Sequence, residues 1–163
     1  MTPVAKRLAS KSGDDKPRAV VCEGELLLRL SAPPAERLFQ GEGLRFHVGG
    51  AEANVAVGLA KLGHRARMLS AVPSSSLGSA AIEALRRHGV DTQGVVQRPG
   101  RMGLYFLESA AAGRSGEVVY DRAGSVFARS ALPRASIDAA LDGAALLHCS
   151  GITSALGPVP RQG

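Results

Sequence analysis

Apolar extended segments alternate with helical segments over residues 19–96, and this alternation restricts the fold more than any other feature. The pattern predicts buried strands over 19–30 and 67–72 and a third extended piece over 90–96, with two helices between them that stop at glycines. An order of strand, helix, strand, helix, strand is typical of a parallel sheet with right-handed crossovers. We therefore expect an α/β fold in which a partial parallel sheet is flanked by helices.

Antiparallel pieces interrupt this pattern. Residues 44–48 alternate apolar and polar side chains and predict a half-exposed strand, and residues 103–108 and 117–122 predict a hairpin across a Gly/Ser loop. Such pieces predict a small antiparallel lid, formed by about 31–48 and 95–130. A lid of this kind stands over the strand ends, where open α/β sheets bind ligands.

The last third of the chain predicts a short helix over 132–141, with Ser136 as its cap, and a buried strand over 144–149. The two cysteines, Cys22 and Cys149, fall in apolar runs and are predicted to be buried. They lack CxxC spacing, so no metal site or disulfide framework is expected. A reduced, cytoplasmic location follows as the expectation.

Charge and length favour one domain with a solvated basic surface. The chain has 163 residues and a net charge of +6, and part of the excess lies in residues 1–18, which we expect to form a flexible tail. Aromatic residues make up only 4% and Trp is absent, which argues against stacking on single-stranded nucleic acid. No apolar run approaches the roughly 18 residues of a membrane helix. We expect neither a nucleic acid nor a membrane as partner.

The sharpest motif is the stretch Gly49-Gly50-Ala51-Glu52-Ala53-Asn54-Val55-Ala56. Two glycines permit a tight turn and close approach of the backbone to a ligand, and the following helix start offers unpaired N–H groups. The Asn54 amide can donate to and accept from hydroxyls. Alternatively, the stretch is a plain strand-to-helix turn with a capping Asn. It is neither a dinucleotide fingerprint nor a Walker A loop.

This stretch is similar to the N-terminal signature of the ribokinase-like PfkB sugar kinases. Five further pieces occur in the order seen in 2-keto-3-deoxygluconate kinases. The resemblance runs from about Val20 to Leu156, and it implies that residues 19–163 are the N-terminal half of such a kinase domain. The pieces are Gly24-Glu25, Gly89-Val90-Asp91-Thr92, Gly103-Leu104-Tyr105-Phe106, Tyr120-Asp121-Arg122-Ala123-Gly124-Ser125 and His148-Cys149-Ser150-Gly151-Ile152-Thr153-Ser154-Ala155-Leu156.

The resemblance implies a binding site for a small-molecule sugar acid and a role in its ATP-dependent phosphorylation. A guanidinium can pair bidentately with a carboxylate, and tyrosine hydroxyls can bind sugar oxygens. Alternatively, these side chains only cover an exposed hairpin face. The resemblance also admits a homodimer through the lid. The implied substrate-binding residues are Gly49, Gly50, Asn54, Tyr105, Tyr120, Arg122 and Glu25.

Departures from the family pattern are also present. Relatives carry a Gly-x-Asp-x-x-Gly loop where this chain has Pro73-Ser74-Ser75-Ser76-Leu77-Gly78, and Met102 stands in place of a Thr. No segment offers the Gly-Ala-Gly-Asp helix start that carries the family's catalytic base. We therefore assign no catalytic residue and no cofactor or metal site in this chain, although ATP and Mg²⁺ are expected for a complete family member.

Two hypotheses remain at this point. The first is an incomplete enzyme, the sugar-binding half of a 2-keto-3-deoxygluconate-type kinase that is inactive alone. The second is a non-catalytic half-domain that binds a sugar acid or a partner chain. In both cases the sheet would have an open apolar edge, since the remaining strands of the family fold are missing from the pattern.

Overall fold

The computed structural model describes residues 18–155, with side chains as far as Thr153. The tail predicted over 1–18 therefore lies, apart from Arg18, outside the described residues. The strands are β1 Ala19–Glu23, β2 Leu27–Ser31, β3 Arg45–Gly49, β4 Ala66–Pro73, β5 Val95–Arg98, β6 Gly103–Glu108, β7 Glu117–Asp121 and β8 Ala144–Cys149. The helices are α1 Ala51–Lys61, α2 Ser76–Arg86, α3 Val126–Arg129, α4 Arg134–Leu141 and α5 Gly151–Ala155.

A four-stranded parallel sheet with the order β5–β4–β1–β8 forms the body, as predicted. Alternate residues of β4 face opposite sides, as the period of two requires. Met68 and Val72 pack against α1 and α2, in a core that includes Ala56, Ile82 and Leu85. On the other side, Leu69 packs against α4, and Ala71 packs beside Phe127 of α3. The sheet is thus flanked by helices on both faces.

A second sheet has the order β3–β2–β6–β7. The predicted hairpin of β6 and β7 is confirmed, with Tyr105 opposite Tyr120 in the antiparallel register. The sheet is mixed rather than purely antiparallel, because β2 and β6 run parallel. Strand β5, which falls in the range expected for the lid, pairs in parallel with β4 and so belongs to the first sheet.

The single strand expected over 19–30 is two strands in two different sheets, and that prediction was wrong. The chain leaves the parallel sheet after Glu23 and enters the second sheet at Leu27. The apolar run continues through the break because Leu26, between the strands, is also buried. A run of buried residues therefore does not reveal a change of sheet.

Strand β8 is more exposed than its apolar sequence predicts. It pairs only with β1 among the described residues, so it is an edge strand. Leu146 and Leu147 are 58% and 42% exposed, and Cys149 is exposed as well. The prediction of a buried strand and a buried Cys149 was wrong, whereas the expected open apolar edge is present.

Helix caps differ in part from expectation. Helix α4 begins after Pro133 with no side-chain cap, so Ser136 lies in the first turn and does not cap it. Ser125 instead caps α3, where its Oγ accepts a hydrogen bond from Ala128 N at 3.2 Å. None of the helices in the described range is long and apolar enough to cross a membrane.

Candidate functional site

A cavity of about 110 Å³ lies where the start of α1 meets the second sheet. It brings together six of the seven residues that the sequence singled out, although they come from four separate stretches of chain. Gly49 lies beside the cavity, with the Tyr105 hydroxyl 3.1 Å from where a Cβ on Gly49 would stand. The six lining residues are Glu25, Gly50, Asn54, Tyr105, Tyr120 and Arg122.

The Gly-Gly turn brings the backbone of Gly50 close to the backbone of Glu25 at the edge of this cavity. Gly50 has a φ of 139°, a conformation that side chains disfavour, and a Cβ there would collide with the carbonyl oxygen of Glu25. Gly50 is also the N-cap residue of α1, with no side-chain cap. Asn54 therefore does not cap the helix, and the capping role considered for it was wrong. The exposed Asn54 side chain lines the cavity and has no hydrogen bond to any described residue.

Arg122 and Glu25 form an ion pair across the cavity wall. Oε2 of Glu25 accepts hydrogen bonds from Nη2 of Arg122 at 2.5 Å and from Nε at 2.8 Å. The other oxygen, Oε1, accepts a hydrogen bond from the Ser125 hydroxyl. Glu25 is 3% exposed and the Arg122 side chain 16% exposed, so the pair is largely shielded from solvent. The Glu25 carboxylate is thus engaged on both oxygens by the protein itself.

The two tyrosines of the hairpin stand side by side. Their ring centroids are 5.7 Å apart with the planes tilted by 34°, and the guanidinium carbon of Arg122 lies 5.8 Å from the centroid of the Tyr120 ring. Tyr120 is exposed and Tyr105 half-buried. Aromatic faces, two hydroxyls and a cation therefore converge from one hairpin.

Glu52 is a cavity-lining residue that the sequence reasoning did not select. It is 2% exposed, and its Oε1 accepts a hydrogen bond from the backbone N–H of Ser150 at 3.0 Å, which joins α1 to the end of β8. Burial, and then the charge of Glu52, raise the pKa of the Glu23 carboxyl and raise the pKa of the Cys22 thiol to about 11. A carboxylate in the first turn of a helix was the available signal.

Two larger cavities lie elsewhere. One of about 580 Å³ is lined mainly by apolar residues between β3, α1 and α2, and one of about 320 Å³ lies beside Arg67 and Asp91. Neither collects polar side chains from as many distant segments as the smaller cavity. Specific ligand sites combine apolar walls with a few convergent polar groups, so we take the smaller cavity as the candidate site.

The fold of this chain is similar to that of solved sugar kinases. The two-sheet α/β architecture matches solved sugar kinases, including a carbohydrate kinase from Listeria grayi with 47% identity and a TM-score of 0.82 over 86% of this chain and 44% of that one. The 2-dehydro-3-deoxygluconokinase of Thermotoga maritima matches with 43% identity and a TM-score of 0.80, over 86% of this chain and 43% of that one.

The sequence matches agree with this architecture. Residues 18–161 match the pfkB family carbohydrate kinases, and the chain belongs to that family. The 2-dehydro-3-deoxygalactonokinase of Haloferax volcanii is 38% identical over 143 residues, which are 88% of this chain and 45% of that protein. The chain thus spans about half the length of such relatives, and the resemblance to an N-terminal half is confirmed.

Proposed function

We propose that this chain is the sugar-acid-binding part of a PfkB-type kinase that phosphorylates a 2-keto-3-deoxy sugar acid with ATP. The observation that carries the proposal is the convergence of the Gly-Gly turn, the Asn54 amide, two tyrosine hydroxyls and Arg122 on one cavity. The relatives that are named as kinases of 2-dehydro-3-deoxy sugar acids support the same substrate class.

Each group has a stated role in this proposal. Arg122 binds the substrate carboxylate, because a guanidinium is the side chain best matched to a planar carboxylate. Asn54, Tyr105 and Tyr120 bind hydroxyl and keto oxygens, since amide and phenol groups can both donate and accept. Gly49 and Gly50 let the sugar approach the backbone. Glu25, which the family resemblance implies as a substrate-binding residue, acts through Arg122.

The second sheet acts as the lid in this proposal, and residues 19–163 are the N-terminal part of the kinase domain. Strand β7 is exposed along its whole length, with Val118 and Val119 at 47% and 42% exposure. An exposed strand of this kind can pair with a second copy, so a homodimer through the lid belongs to the same proposal.

In this proposal the phosphoryl donor and its metal are bound by the complete family member. The described residues contain no group of three or more His, Cys, Asp or Glu side chains that could hold a metal ion. A relative from Pyrococcus horikoshii, 27% identical with a TM-score of 0.65, was solved in complex with ATP. We expect the isolated chain to bind the sugar acid without transferring phosphate.

A second candidate function is a non-catalytic half-domain that binds a partner chain. The exposed leucines of β8 favour it, because apolar side chains on an edge strand are suited to burial by another polypeptide. A soluble monomer that binds sugar acid would favour the first proposal. A chain that binds no sugar acid and dissolves only with a partner would favour the second.

The decisive experiment is calorimetric titration of the purified chain with 2-keto-3-deoxygluconate. We expect Asn54→Ala to weaken binding about 10-fold, the effect of losing hydrogen bonds worth roughly 1.4 kcal/mol. Lys61→Ala, an exposed change on the same helix, should leave the Kd unchanged. A folded wild-type chain with no heat of binding would contradict the proposal, and ATP-dependent turnover would contradict the expected lack of transfer.

A further inference from the structure

The hydrogen bonds of Arg122 use only one edge of its guanidinium. This group has five N–H donors in a planar fork. Glu25 Oε2 accepts from Nε and from Nη2, so the side edge that these two atoms form is occupied. Nη1 donates to no described residue. The end edge, formed by Nη1 and the second hydrogen of Nη2, therefore keeps its donors available beside the cavity.

Glu25 is itself held rigidly by its surroundings. Its second oxygen accepts from Ser125, a buried residue whose Oγ also caps α3. Gly103 packs beneath the carboxylate, since a Cβ there would stand 2.5 Å from Oε1 and 2.6 Å from the Leu27 side chain. A carboxylate that is fixed on both oxygens fixes the orientation of the guanidinium that it binds.

The charges around the cavity suit a ligand carboxylate that is recognised by the orientation of N–H donors and not by the net charge of the lining. The charged lining residues are the carboxylates of Glu25 and Glu52 and the guanidinium of Arg122, a net formal charge of −1. The formal charge of the lining side chains does not by itself favour an anion. A ligand carboxylate therefore depends on local, bidentate hydrogen bonds from correctly aimed N–H groups.

We propose that Glu25 is a positioning residue, which orients Arg122 so that the end edge of the guanidinium receives the ligand carboxylate. This inference rests on the proposed function, because it deepens the account of the same site. Glu25 also compensates the charge of Arg122 before the ligand arrives, since a buried cation without a partner is costly. The carboxylate group of the ligand thus accepts hydrogen bonds from the end edge of the Arg122 guanidinium, which Glu25 does not occupy.

A positioning role and a simple electrostatic role of Glu25 predict opposite changes in sugar-acid affinity for the variant Glu25→Gln. Glu25→Gln makes the cavity more positive while it weakens the hold on Arg122. A positioning role predicts that the affinity for 2-keto-3-deoxygluconate falls about 10-fold, as expected when a charge-assisted bidentate contact is misaligned. Simple repulsion between Glu25 and the ligand predicts tighter binding. The affinity for fructose, which has no carboxylate, should change little in either case.

The test combines calorimetry with an NMR measurement that needs no ligand. In the ligand-free wild type, the Nε–H of Arg122 should give a resolved, slowly exchanging resonance that Glu25→Gln abolishes. Asp121→Asn is the matched control, because Asp121 is an exposed carboxylate on the same hairpin that pairs with Arg101 and does not line the cavity. It should preserve both the resonance and the sugar-acid affinity.

The outcomes separate the two proposals. Unchanged or tighter sugar-acid binding by Glu25→Gln would overturn the positioning role even though the proposed function stands. Failure of the wild type to bind would overturn the proposed function, and the Nε–H resonance would then decide the positioning role by itself. If Glu25→Gln does not fold, Ser125→Ala removes one of the supports of Glu25, and a loss of about 3-fold that is confined to the carboxylate ligand is expected.

Discussion

Strands β4 and β8 pair with the same strand, β1, from its two sides, yet their exposure to solvent differs greatly. Seven of the eight residues of β4 are buried, whereas no residue of β8 is. Both sequences are mainly apolar. The difference lies in what covers them, because β4 is packed by helices on both faces and β8 forms the edge of the described sheet. Burial is therefore a property of the layers around a strand and not of its own composition.

Alanine substitutions in β4 and β8 should differ most in their effect on the free energy of unfolding. Leu69→Ala in β4 should lower it by about 2–5 kcal/mol, because Leu69 is 1% exposed and its removal leaves a cavity beside Val21 and Ala140. Leu146→Ala in β8 removes the same atoms from a side chain that is 58% exposed, and should cost less than about 1 kcal/mol. Chemical denaturation measures both. Equal losses would mean that β8 is covered in solution.

The two thiols provide a second, smaller contrast. Cys22 is fully buried in β1 and its pKa is raised to about 11, first by burial and then by Glu52, whereas Cys149 in β8 is exposed. At pH 8, a thiol reagent should label Cys149 at least about 100-fold faster than Cys22, since the thiolate is the reactive form. Cys149→Ser should remove the fast phase. Two phases of equal rate would contradict the contrast.

The same shift has a consequence for stability at high pH. Because the folded-state pKa of Cys22 lies above the ordinary thiol pKa of 9.0, the thiol ionises first in the unfolded chain. Stability should therefore fall as the pH rises from about 9 to about 11. Cys22→Ala should flatten this fall relative to its own stability at pH 7.

The smallest expected effect concerns Glu23, which lies opposite Cys149 in the β1–β8 register. Its pKa is raised, first by burial and then by Glu52, so its ionisation disfavours the folded state. Stability is lost as the pH rises from the unfolded-state pKa through the raised folded-state pKa, and Glu23→Gln should remove this loss. Denaturation of both proteins at pH 4 and pH 7 measures the difference.

Asp121 is the natural control for Glu23, because its shift has the opposite sign. A hydrogen bond from Arg101 lowers the pKa of Asp121, so its contribution to stability is present above the unfolded-state pKa and is lost as the pH falls. Asp121→Asn should therefore cost more stability at pH 7 than at pH 4. The same pH dependence in both variants would contradict the two assignments.

Much of the candidate site could be located from the sequence because its parts are short motifs similar to those of a known family. The Gly-Gly turn with Asn54 and the Tyr-x-Arg end of the hairpin were each visible locally, and their residues line one cavity. Their role in sugar binding stays a prediction. The ion pair of Arg122 with Glu25 was not foreseen, because the two residues are 97 positions apart and nothing local links them. Glu52 was missed because it looked like an ordinary acidic residue in a first helical turn.

The sequence by itself determined the α/β class, the helices that end at glycines and the hairpin, since periodicity and turn chemistry act over a few residues. Only the tertiary structure decided that the first apolar run divides between two sheets after Glu23, and that β8 is exposed while β4 is covered. The tertiary structure also decided that Glu25 forms an ion pair with Arg122. These features depend on which distant segments come together, and an apolar or charged residue looks the same in the sequence whatever packs against it.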